Sequence, residues 1–304
     1  MEQYKIIISP KTAYLKAIND CFKKEAICKL GYERDIKIIE NIATSLLDTK
    51  NVILFNLTNE NNLLLNMLPR NQRKILIMEY SVSQFSIPTK YNEILLALNY
   101  LDKKMIDEIY CLDYNLYMLF KDKYNFKYLK LDVAQDKNST HIQSNSIGLL
   151  SDPSSHYSNV MNELSAISMT DYKEVKLLNP IKSVTGFAKR FKLKRTNVKN
   201  VEDVITDNEL NLYIKFSEIC YTLILESMDK GIPCIVGNSD LFDSNEKLKK
   251  ALVVESDDDI NEIKEKIINV SKNKKEIIKE YAKFRKVYSN MSKKSIDEFM
   301  NNLK

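Results

Sequence analysis

The sequence predicts an α/β protein of two open parallel sheets, each wrapped by helices, that face one another across a cleft. Three observations lead there. Short apolar runs alternate with longer stretches of helical periodicity along most of the chain. The runs are apolar at nearly every position, as strands covered on both faces must be. The alternation lapses once, near residue 140, and then restarts. A chain of 304 residues fits two domains of about 150 residues each.

The elements follow in order. "YKIIIS" (4–9) reads as the first strand. "RDIKIIENIATSLLD" (34–48) is a helix, because Ile36, Ile39, Ile42, Leu46 and Leu47 recur on one face. Strands are expected at 51–57, 74–80, 107–113 and 127–133, with a helix over 91–105. The Tyr-rich stretch 108–131 interleaves Leu, Met and Phe at helical spacing, which predicts core packing rather than stacking on nucleic acid. Strict β-α alternation implies right-handed crossovers within each sheet.

Residues 1–140 thus form one Rossmann-like domain. "AQDKNSTHIQSNS" (134–146) is polar and aperiodic, a linker or exposed loop. The second Rossmann-like domain, 141–285, has expected strands at 147–152, 174–180, 211–216, 234–237 and 251–256. Helices are expected at 159–169 and over 257–284, the latter starting at a Ser256/Asp257 cap.

Composition removes several classes of function. The net charge of +5 comes from 46 basic and 41 acidic residues spread along the chain, whereas a nucleic-acid binder clusters its Lys and Arg. Five cysteines without a CxxC pair read as reduced thiols, packed as small buried hydrophobes. No signal peptide is visible, and no window approaches the ~20 apolar residues of a membrane span. A cytoplasmic location is expected. The basic amphipathic stretch 271–294 reads first as a solvated face; a patch for peripheral association with the inner membrane face is the alternative.

The stretch that carries chemistry is "SEICYTLILESMDKGIPCIVG" (217–237). A strand delivers the chain to Ser217 and Glu218, and Thr222 is the expected N-cap of a short helix ending near Lys230. Gly231 suits the residue just past that helix, and Pro233 forbids continuation. A helix N-terminus after a strand's carboxyl end is an anion site, suited to a diphosphate. Glu226 lies one turn inside, where a carboxylate can accept hydrogen bonds from vicinal hydroxyls. Glu218 stands before the helix, nearer whatever hangs from the phosphates.

With two glutamates that have seven residues between them, a helix, a Gly-x-Pro and a strand, the stretch resembles the C-terminal domain of GT-B glycosyltransferases. The likeness is to the retaining, family-4-like group, and it covers about half the chain. It implies a glycosyltransferase that moves a sugar from a nucleotide-diphosphate sugar to an acceptor (cell-surface glycan, lipid or protein), retaining and metal-independent. No cofactor beyond the donor is implied. It places Glu218 at the donor sugar as the catalytic residue and Glu226 at the ribose, with Ser217 and the amides of Tyr221, Thr222 and Leu223 around the diphosphate. It also implies that a C-terminal helix, 286–304, crosses back to the N-terminal domain.

Members of that group carry an Arg and a Lys after the first strand of this domain. Here the corresponding stretch is "SDPSSHYSN", which has neither. His156 and Asn159 are the donor-binding candidates there, with Lys182, Lys189 or Arg190 as alternatives from the next element. The missing pair motivates another reading, a catalytically silent homologue that serves as a binding or partner subunit. A nucleotide-sugar epimerase on the same fold is a third.

Overall fold

The structure is a computed structural model describing residues 2–9, 12, 14–30, 36–133, 145–151, 153, 158–178, 182–198, 201–216 and 221–304, without the side chains of 2, 83, 201 and 202. The chain divides into two compact units, Met1–Ala134 with Tyr288–Lys304, and Gln135–Val287. The expected linker lies, up to residue 144, outside the described residues.

Unit 1 runs β1 (Glu2–Ile8), α1 (Leu15–Cys21), β2 (Ile27–Lys29), α2 (Ile36–Ser45), β3 (Thr49–Phe55) and α3 (Asn59–Met67). It continues with β4 (Arg73–Met78), α4 (Pro88–Asp102), β5 (Glu108–Cys111), α5 (Tyr114–Tyr124) and β6 (Lys127–Tyr128). The strands form one sheet, β2-β1-β3-β4-β5-β6, parallel throughout. Val52, Ile53, Leu54 and Phe55 of β3 are wholly buried, as both faces are covered. Helices begin where a side chain takes up an orphan amide. Thr58 Oγ1 accepts from the Asn61 N–H at 3.2 Å ahead of α3, and Asp113 Oδ1 from the Leu116 N–H at 2.7 Å ahead of α5.

The structure differs from expectation at two places in this unit. Ile39 and Leu46 are buried, but Ile36 and Leu47 are 54% and 55% exposed. α2 ends at Ser45, so Leu47 falls in the turn beyond it, off the helix face. The strand expected over 127–133 shrinks to two residues. Its neighbour in the sheet, β5, stops at Cys111, and the Leu129 N–H still reaches the Cys111 carbonyl at 3.0 Å.

Unit 2 runs β7 (Ser146–Leu149), α6 (Val160–Ser168), β8 (Glu174–Leu178), α7 (Lys182–Arg190), β9 (Lys194–Val198) and α8 (Val201–Ile205). β10 (Leu210–Tyr213), α9 (Tyr221–Asp229), β11 (Cys234–Val236), α10 (Glu246–Leu252) and α11 (Ile260–Asn302) complete it. Its sheet order is β11-β10-β7-β8-β9, again all parallel. Buried amides tie the sheet to its helices: Asn211 Nδ2 donates to Ser227 Oγ at 2.8 Å, and Asn208 Nδ2 to Asn211 Oδ1 at 2.8 Å. Gly148 leaves room for them, since a Cβ there would stand 2.2 Å from Asn211 Oδ1.

The strand expected over 251–256 is absent. Ala251 and Leu252 close α10, and Val253 makes only an isolated bridge with Val236. The Val254 N–H donates to the Val236 carbonyl at 2.9 Å, but the residues before Val253 are already helical, so the pairing goes no further on that side. The last helix is not capped by Ser256 or Asp257. Asp259 Oδ1 accepts from the N–H groups of Asn261 (2.8 Å) and Glu262 (3.2 Å), while Asp257 Oδ1 accepts from Asn238.

α11 continues to Asn302, with non-helical angles only at Asn273 (φ −112°, ψ 16°). Its residues through Val287 belong to unit 2 and those from Tyr288 to unit 1. There the Phe299 ring meets Tyr110 and Phe22 edge-on, at 4.8 and 6.1 Å between centroids. Cys111 and Cys234 are buried as expected, but Cys21 and Cys28 are partly exposed, and Cys220 lies outside the described residues. Among the described residues, no helix is long and apolar enough to cross a membrane.

Candidate functional site

Open parallel sheets present their ligand sites beyond the carboxyl ends of the strands. In unit 2 that edge carries the exits of β7, β10 and β11 and the amino ends of α6 and α9.

α9 forms because Ile224, Leu225 and Met228 offer one apolar face, which is buried with Thr222 and Ser227. It starts at Tyr221, so Thr222 sits in the first turn and not at the cap. It stops at a Schellman closure: Ile232 N–H reaches the Ser227 carbonyl (3.1 Å) and Gly231 N–H the Met228 carbonyl (2.9 Å). Gly231 has φ 72°, a left-handed conformation that a Cβ disfavours. The first turn, Tyr221, Thr222 and Leu223, thus lies at the carboxyl edge. Glu226 is half-buried, four residues beyond Thr222 and so on the same side of the helix. Tyr221 Oη donates to Asp240 Oδ1, from the loop after β11.

Asn159 immediately precedes α6 and is 2% exposed. Its Nδ2 donates to the Asp257 carbonyl, and its Oδ1 accepts from Asn162 Nδ2 at 2.8 Å. Asp257 in turn receives the Asn238 N–H at 2.9 Å. Burial pushes the Asp257 carboxyl above its ordinary range, partly offset by that amide. Gly237 permits the approach, since a Cβ there would stand 2.5 Å from Asp257 Oδ1. Asn159, Asn238 and Asp257 are therefore brought together, and Tyr221 with Asp240. Ser217, Glu218 and His156 lie outside the described residues.

Of the basic alternatives, Lys182 opens α7 at the carboxyl edge of the sheet, whereas Lys189 and Arg190 close it at the far end. Seven residues of helix separate Lys182 from Lys189, about 10 Å of rise.

Sequence reasoning passed over Glu163. It is fully buried on α6, where Oε1 accepts from the Ile214 N–H at 3.0 Å, just past β10. Oε2 is buried without a hydrogen-bond partner among the described residues. Burial pushes this carboxyl up to about 8, against the pull of the Ile214 amide and the Lys215 charge. The available signal was its spacing: Val160, Glu163, Leu164 and Ile167 share one helical face.

No protein-family model and no curated protein matches the chain. Solved structures do. A glycosyltransferase from Rickettsia africae ESF-5 is 12% identical over 99% of this chain and 97% of its own, with TM-score 0.66. Anabaena Alr3699/HepE, in complex with UDP and glucose, is 10% identical over 95% and 99%, with TM-score 0.67. TarM is 15% identical over 87% of this chain, with TM-score 0.65, and the chain spans 58% of its length. The fold is GT-B.

Proposed function

We propose that the protein is a glycosyltransferase that moves a sugar from a nucleotide-diphosphate sugar to an acceptor, a cell-surface glycan, lipid or protein. The observation that carries this reading is α9, which begins just past the β10 exit of a parallel sheet and holds Glu226 on the Thr222 side. The first turn of a helix has N–H groups that no intrahelical carbonyl accepts, and the positive end of its dipole favours an anion. A diphosphate leaving group gains negative charge as the glycosidic bond breaks. Donors fixed in place beforehand stabilise that charge without reorganising.

In this reading Tyr221, Thr222 and Leu223 hold the diphosphate, with Ser217, Asn159 and His156 beside it. Glu226 accepts the ribose hydroxyls and Glu218 positions the donor sugar. The reaction is retaining, needs no metal and uses no cofactor beyond the donor. The Anabaena relative's complex with UDP and glucose makes a uridine donor the first to test.

Thermal unfolding with UDP, GDP, ADP and CDP should show one of them raising the midpoint; a ligand at a hundred times its Kd adds about 2.7 kcal/mol. Glu226→Ala should abolish that shift. Glu218→Ala should keep it and lose release of nucleoside diphosphate from the sugar donor. Equal release by wild type and Glu218→Ala, with a labelled acceptor pool present, would falsify the transferase reading. The silent-subunit reading, favoured by the absence of Arg and Lys from 151–159, predicts binding with no turnover.

A further inference from the structure

β10 loses its neighbours at its carboxyl end in an ordered way. The Leu212 carbonyl accepts from the Leu150 N–H at 2.9 Å, and the Tyr213 carbonyl from the Gly237 N–H at 3.3 Å. The next donor along the strand, the Ile214 N–H, goes to Glu163 Oε1 at 3.0 Å. Lys215 then forms an antiparallel bridge with Ser158, just ahead of α6. One side chain from α6 therefore holds the strand exit where the chain departs toward α9.

A glutamine or a serine would satisfy one N–H with less desolvation than a carboxyl. Glu163 instead brings a second oxygen, Oε2, into a buried place with no partner for it among the described residues. A neutral acid tolerates that place, but a carboxylate does not. Among the described residues, the charged and titratable groups that face it are Lys215, from the strand exit, and Cys234, from β11. Burial pushes the Cys234 thiol far up, so it stays neutral. Lys215 is then the group left, among the described residues, to meet a negative charge on Glu163.

We propose that Glu163 is a positioning residue: while neutral it pins the exit of β10, Ile214–Phe216, on the path to α9, and on ionising it releases that exit. Its effect on ligand binding rests on the reading of α9 as the diphosphate helix; its effect on the strand exit does not.

Wild type, Glu163→Gln and Glu163→Leu separate the two. UDP affinity is measured from pH 6 to 9, and amide exchange of the 212–225 segment is followed in ligand-free protein, corrected for intrinsic rates. If only the neutral form is competent, wild-type affinity falls about tenfold between pH 7 and 9. Glu163→Gln, which keeps the acceptor and cannot ionise, should match wild type at pH 7 and stay flat. Any titration of UDP itself is common to both proteins. Exchange of 212–225 should quicken above pH 8 in wild type and not in Glu163→Gln. Glu163→Leu should exchange fast and bind weakly at every pH; if it does not fold, the other two proteins decide. Identical exchange profiles for wild type and Glu163→Gln overturn the proposal. An expected exchange profile with no UDP binding at any pH leaves Glu163 in its role and removes the nucleotide reading instead.

Discussion

Glu108 in unit 1 and Glu163 in unit 2 are two shielded acids at opposite edges of their sheets. Glu108 opens β5 at the amino edge, and its neighbours on both sides supply cations: Arg73 from β4, and Lys127 from β6 at 2.6 Å. Burial alone would raise its pKa, but hydrogen bonds from Lys127 and Arg73, and their charges, hold it below the ordinary value. Glu163 lies at the carboxyl edge, and among the described residues one of its oxygens is partnered and the other not. The contrast separates two uses of a buried charge. Where both oxygens are met the group is architecture; where one is left over, at the edge where open parallel sheets bind ligands, it is a candidate for function.

The largest effect should come from a buried charge in unit 2 that is fully met. Arg285 and Asp229 are 1% and 5% exposed, and Arg285 Nε donates to Asp229 Oδ1 at 3.0 Å. Tyr281 Oη adds a bond to the same oxygen at 2.7 Å. Asp229→Ala leaves the guanidinium buried and uncompensated, which costs about 3–5 kcal/mol, read as a lowered midpoint in urea. A cost near zero would mean that satisfied and unsatisfied charges in this unit cannot be told apart by mutation.

The pH profiles come next, and they should run in opposite directions. The folded pKa of Glu163, about 8, lies above the unfolded value of about 4.3. Its neutral form therefore favours folding fully below pH ~4.3, and that contribution is lost as pH rises toward 8. Glu163→Gln should be more stable than wild type at pH 9, by up to about 5 kcal/mol, and equal to it in acid. Glu108, with its pKa held down, contributes above its unfolded pKa and loses the contribution as pH falls through its folded one. Glu108→Gln should cost about 1–2 kcal/mol at pH 7 and converge with wild type at low pH. Profiles that shift in the same direction for both variants would break the comparison.

The smallest effect tests the helix stop beside the site. Gly231→Ala forces a Cβ into left-handed backbone and should cost about 1 kcal/mol, seen as a small drop in melting temperature.

The sequence showed these features unequally. α9 and its stop were legible because the signals are local: an apolar helical face, then Gly231 and Pro233 within a few residues. The alternation of strands and helices was legible for the same reason. The short run at 251–256 misled, since nothing in six apolar and polar residues tells a strand from the last turn of α10. Glu163 was missed because periodicity locates a helix without saying how far it rolls onto its sheet. That roll buries Glu163 beside Val160 and Leu164. The length of α11 had a signal that went unused: no Gly or Pro occurs from Ile260 to Asn302.

The Phe22 and Tyr110 rings, which belong to the first half of the chain, close on Phe299. A ribosome delivers the chain from its N-terminus, and domains ordinarily fold as they emerge. Unit 1 has to wait. Its sheet can assemble early, but one side of its core stays open until the whole of unit 2 has been translated and Tyr288–Lys304 follows. Of the two units, the one whose synthesis starts earlier is completed later. A chain interrupted anywhere in unit 2 would expose the aromatic slot around Phe22, a surface that chaperones and proteases can recognise.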